Sequence, residues 1–247
     1  MIDCDNWMKA DWPAPAGVHA GTTLRYGGIS QQPFDSFNLA THVGDDLRNV
    51  EQNRKHMITV LGLQQQPLWL NQQHSTLVIN ADKTDKSIQE PIGDASYTES
   101  TGVVCVVLTA DCLPILLCDE QGKQIAAIHA GWRGLFSGII EKTVATFHNK
   151  PILAWLGPAI SQQAFEVGEE VRTVFVSDSS HAKSAFINSR AGKWSADLYL
   201  LATMRLHSAG VANVYGGSYC TFNDQDHFYS YRRSRQTGRM ASLIWKE

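Results

Sequence analysis

The stretch Val103-Val-Cys-Val-Val-Leu-Thr-Ala-Asp-Cys-Leu-Pro-Ile-Leu-Leu-Cys118 decides the fold, together with the turn Asp119-Glu-Gln-Gly122 and the run Gln124-Ile-Ala-Ala-Ile-His129 that follow it. Its apolar and β-branched residues lack helical spacing and are punctuated by proline and glycine, which predicts three short buried strands. Pro114 supplies no ladder donor and restricts the residue before it, so the first break is expected there. A break at that point presents the Cys112 thiol instead of burying it. The last strand ends on His129, and the glycines of Ala130-Gly-Trp-Arg-Gly134 let the backbone turn tightly or approach a ligand closely.

Working outward, His74 follows Pro67-Leu-Trp-Leu-Asn-Gln-Gln73 in the same manner, and residues 67–80 read as two strands around it. Leu47, Val50, Arg54, Met57, Ile58 and Leu61 recur at helical spacing behind Asp45 and Asp46, with Gly62 as the stop. Leu135, Ile139, Ile140, Val144 and Phe147 form the apolar face of a second helix, and residues 169–176 and 197–208 are two more. Strands are expected at Ile152–Leu156, halted by Gly157-Pro158, and at Asn213–Gly216, 227–231 and 241–245. Residues 82–93 are the most polar interval and read as a surface loop. Helices interspersed with short strands and hairpins predict an α+β layered sandwich, and with no linker composition in sight, one large domain over 1–247.

At 247 residues, with 43% hydrophobic and 18% charged residues, the composition is that of a globular protein and excludes disorder, collagen and coiled coil. A net charge of −3 gives no long-range field for nucleic acid or an anionic membrane, so a small-molecule partner is expected. Asp3, Asp5, Lys9 and Asp11 interrupt any signal-like apolar run near the start, and no stretch is long enough to span a bilayer. Five scattered cysteines without a Cys-x-x-Cys pair predict a reduced, cytoplasmic protein.

The chemistry rests on His74, Cys112 and His129, each placed where an apolar run gives way to a turn. If they converge, two imidazoles and a thiolate give the three-ligand set of a catalytic zinc with its fourth position open. The same donors suit copper, which would make the chain an oxidase of phenols, but a multicopper cluster needs many imidazoles, commonly in His-x-His pairs, and none of the nine histidines is so spaced. Without a metal, Cys112 activated by His129 or His74 would be the nucleophile of an amide or ester hydrolase. A metal that only staples the fold is the bland alternative. Cys105 and Cys118 read as inert core thiols, and His19, His56, His148, His181 and His207 as structural or exposed. The cluster Arg232, Arg233, Arg235 and Arg239 is divided between surface solvation and phosphate capture. Glu166, Asp94 and Asp111 are candidates for proton transfer. No phosphate-cradling glycine motif occurs, nor the His-x-Glu…Pro-Cys-x-x-Cys pattern of zinc deaminases.

Several blocks together resemble the YfiH family, the laccase-domain or polyphenol-oxidase-like group described as purine nucleoside phosphorylases. They are Thr109-Ala-Asp-Cys-Leu-Pro114, His129-Ala-Gly-Trp-Arg-Gly134, Trp155-Leu-Gly-Pro-Ala-Ile160, Phe165-Glu-Val-Gly168 and Phe228-Tyr-Ser-Tyr-Arg-Arg233. Thr23-Leu-Arg-Tyr-Gly-Gly-Ile-Ser30, Phe37-Asn-Leu-Ala-Thr-His-Val-Gly-Asp45 and Gln73-His74 extend the similarity over nearly the whole chain. The resemblance implies a four-layer αββα sandwich with mixed sheets and a zinc on His74, Cys112 and His129, with copper attached to the laccase label. It implies phosphorolysis of adenosine, inosine and methylthioadenosine to free base and ribose 1-phosphate or its methylthio analogue, with deamination of adenosine. Purine nucleosides and inorganic phosphate would be the partners. Apart from the resemblance, the sequence does not fix the oligomeric state, and a monomer is the favoured expectation. Arg25, Arg133, Arg232 and Arg233 stand in matched blocks as candidates for phosphate or sugar, and Asn38 and His42 could line the same pocket.

Overall fold

Alternation along the decisive stretch sets the layering: Cys105 and Val107 face one apolar environment, Val104, Val106 and Leu108 the opposite one. The computed structural model describes residues 6–84, 90–148 and 151–247. Its strands are β1 (Trp7–Lys9), β2 (Val18–Thr23), β3 (Val78–Asn80), β4 (Ala95–Thr98), β5 (Cys105–Thr109), β6 (Leu113–Asp119), β7 (Ile125–Ala130), β8 (Ile152–Leu156), β9 (Glu166–Gly168), β10 (Phe186–Arg190), β11 (Lys193–Ala196), β12 (Asn213–Gly216) and β13 (Met240–Lys246). The helices are α1 (Leu47–Val60), α2 (Trp132–Phe136), α3 (Ile139–Val144), α4 (Glu169–Asp178) and α5 (Leu198–Ser208).

One sheet has the order β1-β2-β13-β5 and is antiparallel throughout. A larger sheet, β12-β8-β6-β7-β4-β3, is mixed, with parallel pairs only at its two ends. Ala20, Cys105, Val107 and Ile244 of the first meet Leu116, Cys118, Ile125, Ala127, Leu153 and Trp155 of the second. The outer face of the first sheet, with Val104, Val106, Leu108, Ala241 and Leu243, is covered by Met57 of α1 and by Trp69. Ile115, Leu117, Ala126, Ile128 and Ala154 on the outer face of the second lie under Leu135, Ile139 and Val144 and under Phe175 and Leu201. The order of layers is therefore αββα, as the resemblance implied. Each fully buried Leu, Ile or Val among them contributes about 1.5–3 kcal/mol, so the two sheets are held together mainly by the strands that the sequence marks as continuously apolar. A small antiparallel sheet, β10-β11-β9, accompanies α4.

Several elements differ from expectation for identifiable reasons. Pro114 does not end a strand; it lies inside β6, opposite His129. Its carbonyl accepts Gly157 N at 2.9 Å on the β8 side, beyond the last pair Ile115 with Leu156, so its missing donor falls where the ladder has already stopped. The break comes instead at 110–112, where Asp111 takes φ 96° and the chain crosses from the first sheet to the second. The second helix is two helices, because Gly138 takes φ 93° between α2 and α3, although its predicted apolar face is buried throughout.

Residues 67–80 are not two strands. Leu68 and Asn71 make single bridges to Cys105 and Ile92, and only Val78–Asn80 pairs regularly. The amides of Gln73, His74 and Ser75 all donate to the Asp94 carboxylate, so a side chain occupies donors that a ladder would need. Residues 227–231 form no strand; the segment is irregular, with Phe228 N donating to Asp224 O and Tyr229 N to the Met240 sulfur. In the polar interval 82–93, residues 85–89 lie outside the described residues; the rest carries no regular strand or helix. Among the described residues no helix is long and apolar enough to cross a membrane.

Candidate metal centre

The crossover from β5 to β6 places Cys112 at the rim of the space between the sheets, and the pairing of β6 with β7 brings His129 beside it. His74 arrives from the other side on the loop that Asp94 organises. The donor atoms of His74, Cys112 and His129 lie within 4.8 Å of one another. Cys112 Sγ is 3.7 Å from His74 Nε2, and the two imidazole rings meet edge to face with centroids 4.8 Å apart. Donors around a tetrahedral zinc with bonds of about 2.0–2.3 Å sit roughly 3.5 Å apart, so this set fits such an ion. His129 is buried, Cys112 half-buried and His74 exposed, which leaves the centre open on the His74 side.

Asp94, fully buried, ties the centre together. His129 Nδ1–H donates to Asp94 Oδ1 at 2.8 Å, which turns the imidazole's Nε2 towards the other donors. The same oxygen accepts the His74 amide at 3.0 Å, while Oδ2 accepts from the Ser75 amide and hydroxyl. Burial alone pushes this carboxyl up, but the hydrogen bonds from His129 and Ser75 overcome it and hold it at about 2. Burial likewise pushes the Cys112 thiol up, and the His129 charge with hydrogen bonds from both imidazoles brings it down to about 6. The thiolate and Asp94 in turn raise His129 to about 9 against the effect of its burial. Without a metal, Cys112 and His129 form a thiolate–imidazolium pair.

Gly131 makes the close approach possible. A Cβ there would lie 2.7 Å from His74 Cδ2 and 3.1 Å from Cys112 Sγ, so any side chain would enter the centre. Asp111 acts on the other flank. Its Oδ1 accepts the Thr221 hydroxyl at 2.7 Å and its Oδ2 the Arg232 amide at 2.6 Å, which fastens the 221–232 segment to the crossover. His74 and Asp111, both non-glycine, take left-handed φ values of 57° and 96°; backbone strain thus flanks the donor set on two sides.

The remaining expected residues are dispersed. Arg25 donates to the backbone oxygens of Asp35 and Gln225, and Arg233 to those of Thr221, Phe222 and Phe228. Both are struts of the 221–233 region and its neighbours. Asn38 is buried and organises its own loop, donating to Ala40 O and Asp45 Oδ2 and accepting the amides of Ala40 and Arg239. Arg133 is exposed and lies over its neighbour Trp132. Arg232 donates to Glu166 O and stacks on Phe165. Glu166 itself is taken up by Ser189 and Arg190 on the small sheet. His42 does face a cavity, alongside Arg239 and Arg235, two residues that the sequence left divided between solvation and phosphate capture. Burial lowers Arg239, and the Cys112 charge opposes that effect; Arg239 in turn is among the charges lowering His42, after its burial.

An αββα sandwich whose inter-sheet crossover brings two imidazoles and a thiol within reach of one ion defines a class of protein with a single three-donor centre. The family described as multi-copper polyphenol oxidoreductase laccase matches residues 19–247. The purine nucleoside phosphorylase YfiH of Escherichia coli strain K12 is 48% identical over 236 residues, covering 95% of this chain and 96% of its own. A purine nucleoside phosphorylase of Pseudomonas aeruginosa is 50% identical over 242 residues, covering 97% and 98%. The crystal structure of a Neisseria meningitidis protein superposes with a TM-score of 0.94 at 48% identity, covering 98% of this chain and 99% of that one. The chain belongs to the YfiH family. The multi-copper description finds a single His–Cys–His group among the described residues, not a cluster of imidazoles.

Proposed function

We propose that this chain is a zinc-dependent purine nucleoside phosphorylase. It acts on adenosine, inosine and methylthioadenosine, gives the free base with ribose 1-phosphate or its methylthio analogue, and also deaminates adenosine. The observation that carries the reading is the convergence of His74, Cys112 and His129 within 4.8 Å, in a chain whose relatives bear that name. Bound there, a zinc ion would supply Lewis acidity and an open position for an oxygen ligand.

The chain's own residues do the rest. Asp94 holds His129 in the tautomer that leaves Nε2 free as a donor, and fixes the His74 loop with the same carboxylate. Gly131 keeps the backbone clear of both flanking donors. In phosphorolysis a phosphate oxygen forms a bond to the anomeric carbon as that carbon's bond to the purine nitrogen breaks. The electron pair leaves with the base, which takes up a proton. Asp94 is held ionised with both oxygens occupied, so it is a positioning residue and not the proton donor. The test is incubation of metal-assayed enzyme with each nucleoside and phosphate. Finding neither free base, ribose 1-phosphate nor inosine rejects the reading.

The thiolate–imidazolium pair favours a second reading, a Cys112-dependent hydrolase of an amide or ester. Activity that survives chelation and is abolished by stoichiometric alkylation supports it. Activity lost on chelation and restored by zinc opposes it.

A further inference from the structure

A cavity of about 310 Å³ opens where the loop carrying His42 meets the segment 231–239, and it is lined by His42, Tyr231, Arg235, Gln236, Thr237 and Arg239. Among the described residues no carboxylate lines it. The hollow beside Arg25 contrasts with it, because Asp35 and Asp226 line that one and Arg25 is spent on backbone oxygens. We propose that the His42–Arg239 cavity is the anion subsite of this enzyme and binds inorganic phosphate, with Arg239 as its central ligand and Arg235 as a second cation. The assignment rests on the phosphorolysis reading for its role in turnover.

Three observations carry it. Among the described residues Arg239 uses only Nη1, which donates to Thr237 O at 2.8 Å and Gly238 O at 3.0 Å. Those bonds hold the guanidinium in place and leave Nε and Nη2, the side of the fork that takes an oxyanion with two parallel N–H bonds, without a protein partner. Second, the ring of Tyr231 lies 5.8 Å from the Arg239 guanidinium and 5.7 Å from that of Arg235, so it packs against both without neutralising either. Third, the charges of Cys112 and Asp111 both act on Arg239, so the guanidinium lies within electrostatic reach of the three-donor centre. The Arg239 amide is further anchored to Asn38 Oδ1 at 3.0 Å, so the loop with His42 and the arginine segment share one buried side chain.

Calorimetric titration of the metal-loaded protein with inorganic phosphate tests this, alongside separate KM values for phosphate and for nucleoside. Arg239→Gln is expected to raise the Kd and the KM for phosphate by about 10–100-fold, the loss that one charge-assisted hydrogen-bonding group produces, with the KM for nucleoside and the metal content unchanged. Arg239→Lys keeps the charge and loses the fork, and falls between. Arg235→Gln, at an exposed position, raises the phosphate constants less and keeps the fold in case Arg239→Gln does not. Unaltered phosphate binding in Arg239→Gln, or in both Arg239→Lys and Arg235→Gln, overturns the subsite. If wild type makes no ribose 1-phosphate but binds phosphate in an Arg239-dependent way, the subsite stands and the phosphorolysis reading falls.

Discussion

The Asp94 carboxylate and the His129 imidazole meet at 2.8 Å, and the Asp94 carbonyl accepts the His129 amide at 2.7 Å, so one residue fixes both the backbone and the ring of the other. Asp94→Asn keeps the size and loses the charge. Because an orienting carboxylate behind a metal-binding histidine is worth about 10–100-fold in affinity, zinc retention should fall by that range in a competition with a chelating dye. A variant that binds zinc as tightly as wild type would show that Asp94 only shapes the loop.

Loading the centre must expel protons. In the metal-free state His129 holds its proton up to about pH 9, while Cys112 is already a thiolate above about pH 6. Between those values zinc binding should release about one proton, taken from His129, and the affinity should climb about tenfold per pH unit. Below about pH 6 the thiol's proton adds to the release and the slope steepens. Titrations in buffers of different ionisation enthalpy read the number directly, and an observed enthalpy that does not change with the buffer at pH 7.5 would contradict the pairing.

The metal-free protein should also lose stability in strong acid. Asp94 sits at about 2 when folded, below its ordinary carboxylate range, so its contribution is complete above the unfolded value near 3.8 and disappears as pH falls through about 2. The gap corresponds to about 2 kcal/mol. Urea midpoints of wild type and Asp94→Asn should therefore converge between pH 4 and 2, about the window set by those two values.

Gly131→Ala places a methyl group 2.7 Å from His74 Cδ2, while the glycine's own φ of −63° suits any residue. The backbone tolerates alanine and the donor set does not. Metal content and turnover are expected to drop sharply with a melting temperature near that of wild type, and full metal occupancy would refute the steric account.

Cys112→Ala separates catalysis from scaffolding. Turnover should vanish while the melting temperature stays nearly unchanged, because the layers are closed by Cys105, Val107, Leu116 and Cys118 without it. Unfolding of the variant would mark the centre as a structural staple.

Much of the fold was legible because burial leaves a local imprint. The continuous apolar runs at β5, β6 and β7 and the helical spacing ending at Leu61 follow from a two-residue and a 3.6-residue period that each stretch carries alone. The layout of 67–80 was not legible, since its amides go to Asp94, some twenty residues further along the chain. Pro114 misled for a similar reason: whether a missing donor breaks a strand depends on whether the neighbouring strand extends that far, and β8 ends at Leu156. The strands β1, β2, β4 and β9 to β11 are not legible in the sequence, because short strands with polar residues carry little period.

The sequence by itself determined which side chains could do chemistry, namely two imidazoles and a thiol at the ends of apolar runs, and that these runs would stack in layers. Only the tertiary structure decided that the three meet, since His74, Cys112 and His129 are joined by pairings and a crossover between two different sheets. It also sorted the arginines. Arg25 and Arg233 are consumed by backbone carbonyls, whereas among the described residues Arg239 keeps Nε and Nη2 without a protein partner. A guanidinium's role depends on which acceptors surround it in space, and that arrangement is not encoded in the few residues on either side of it.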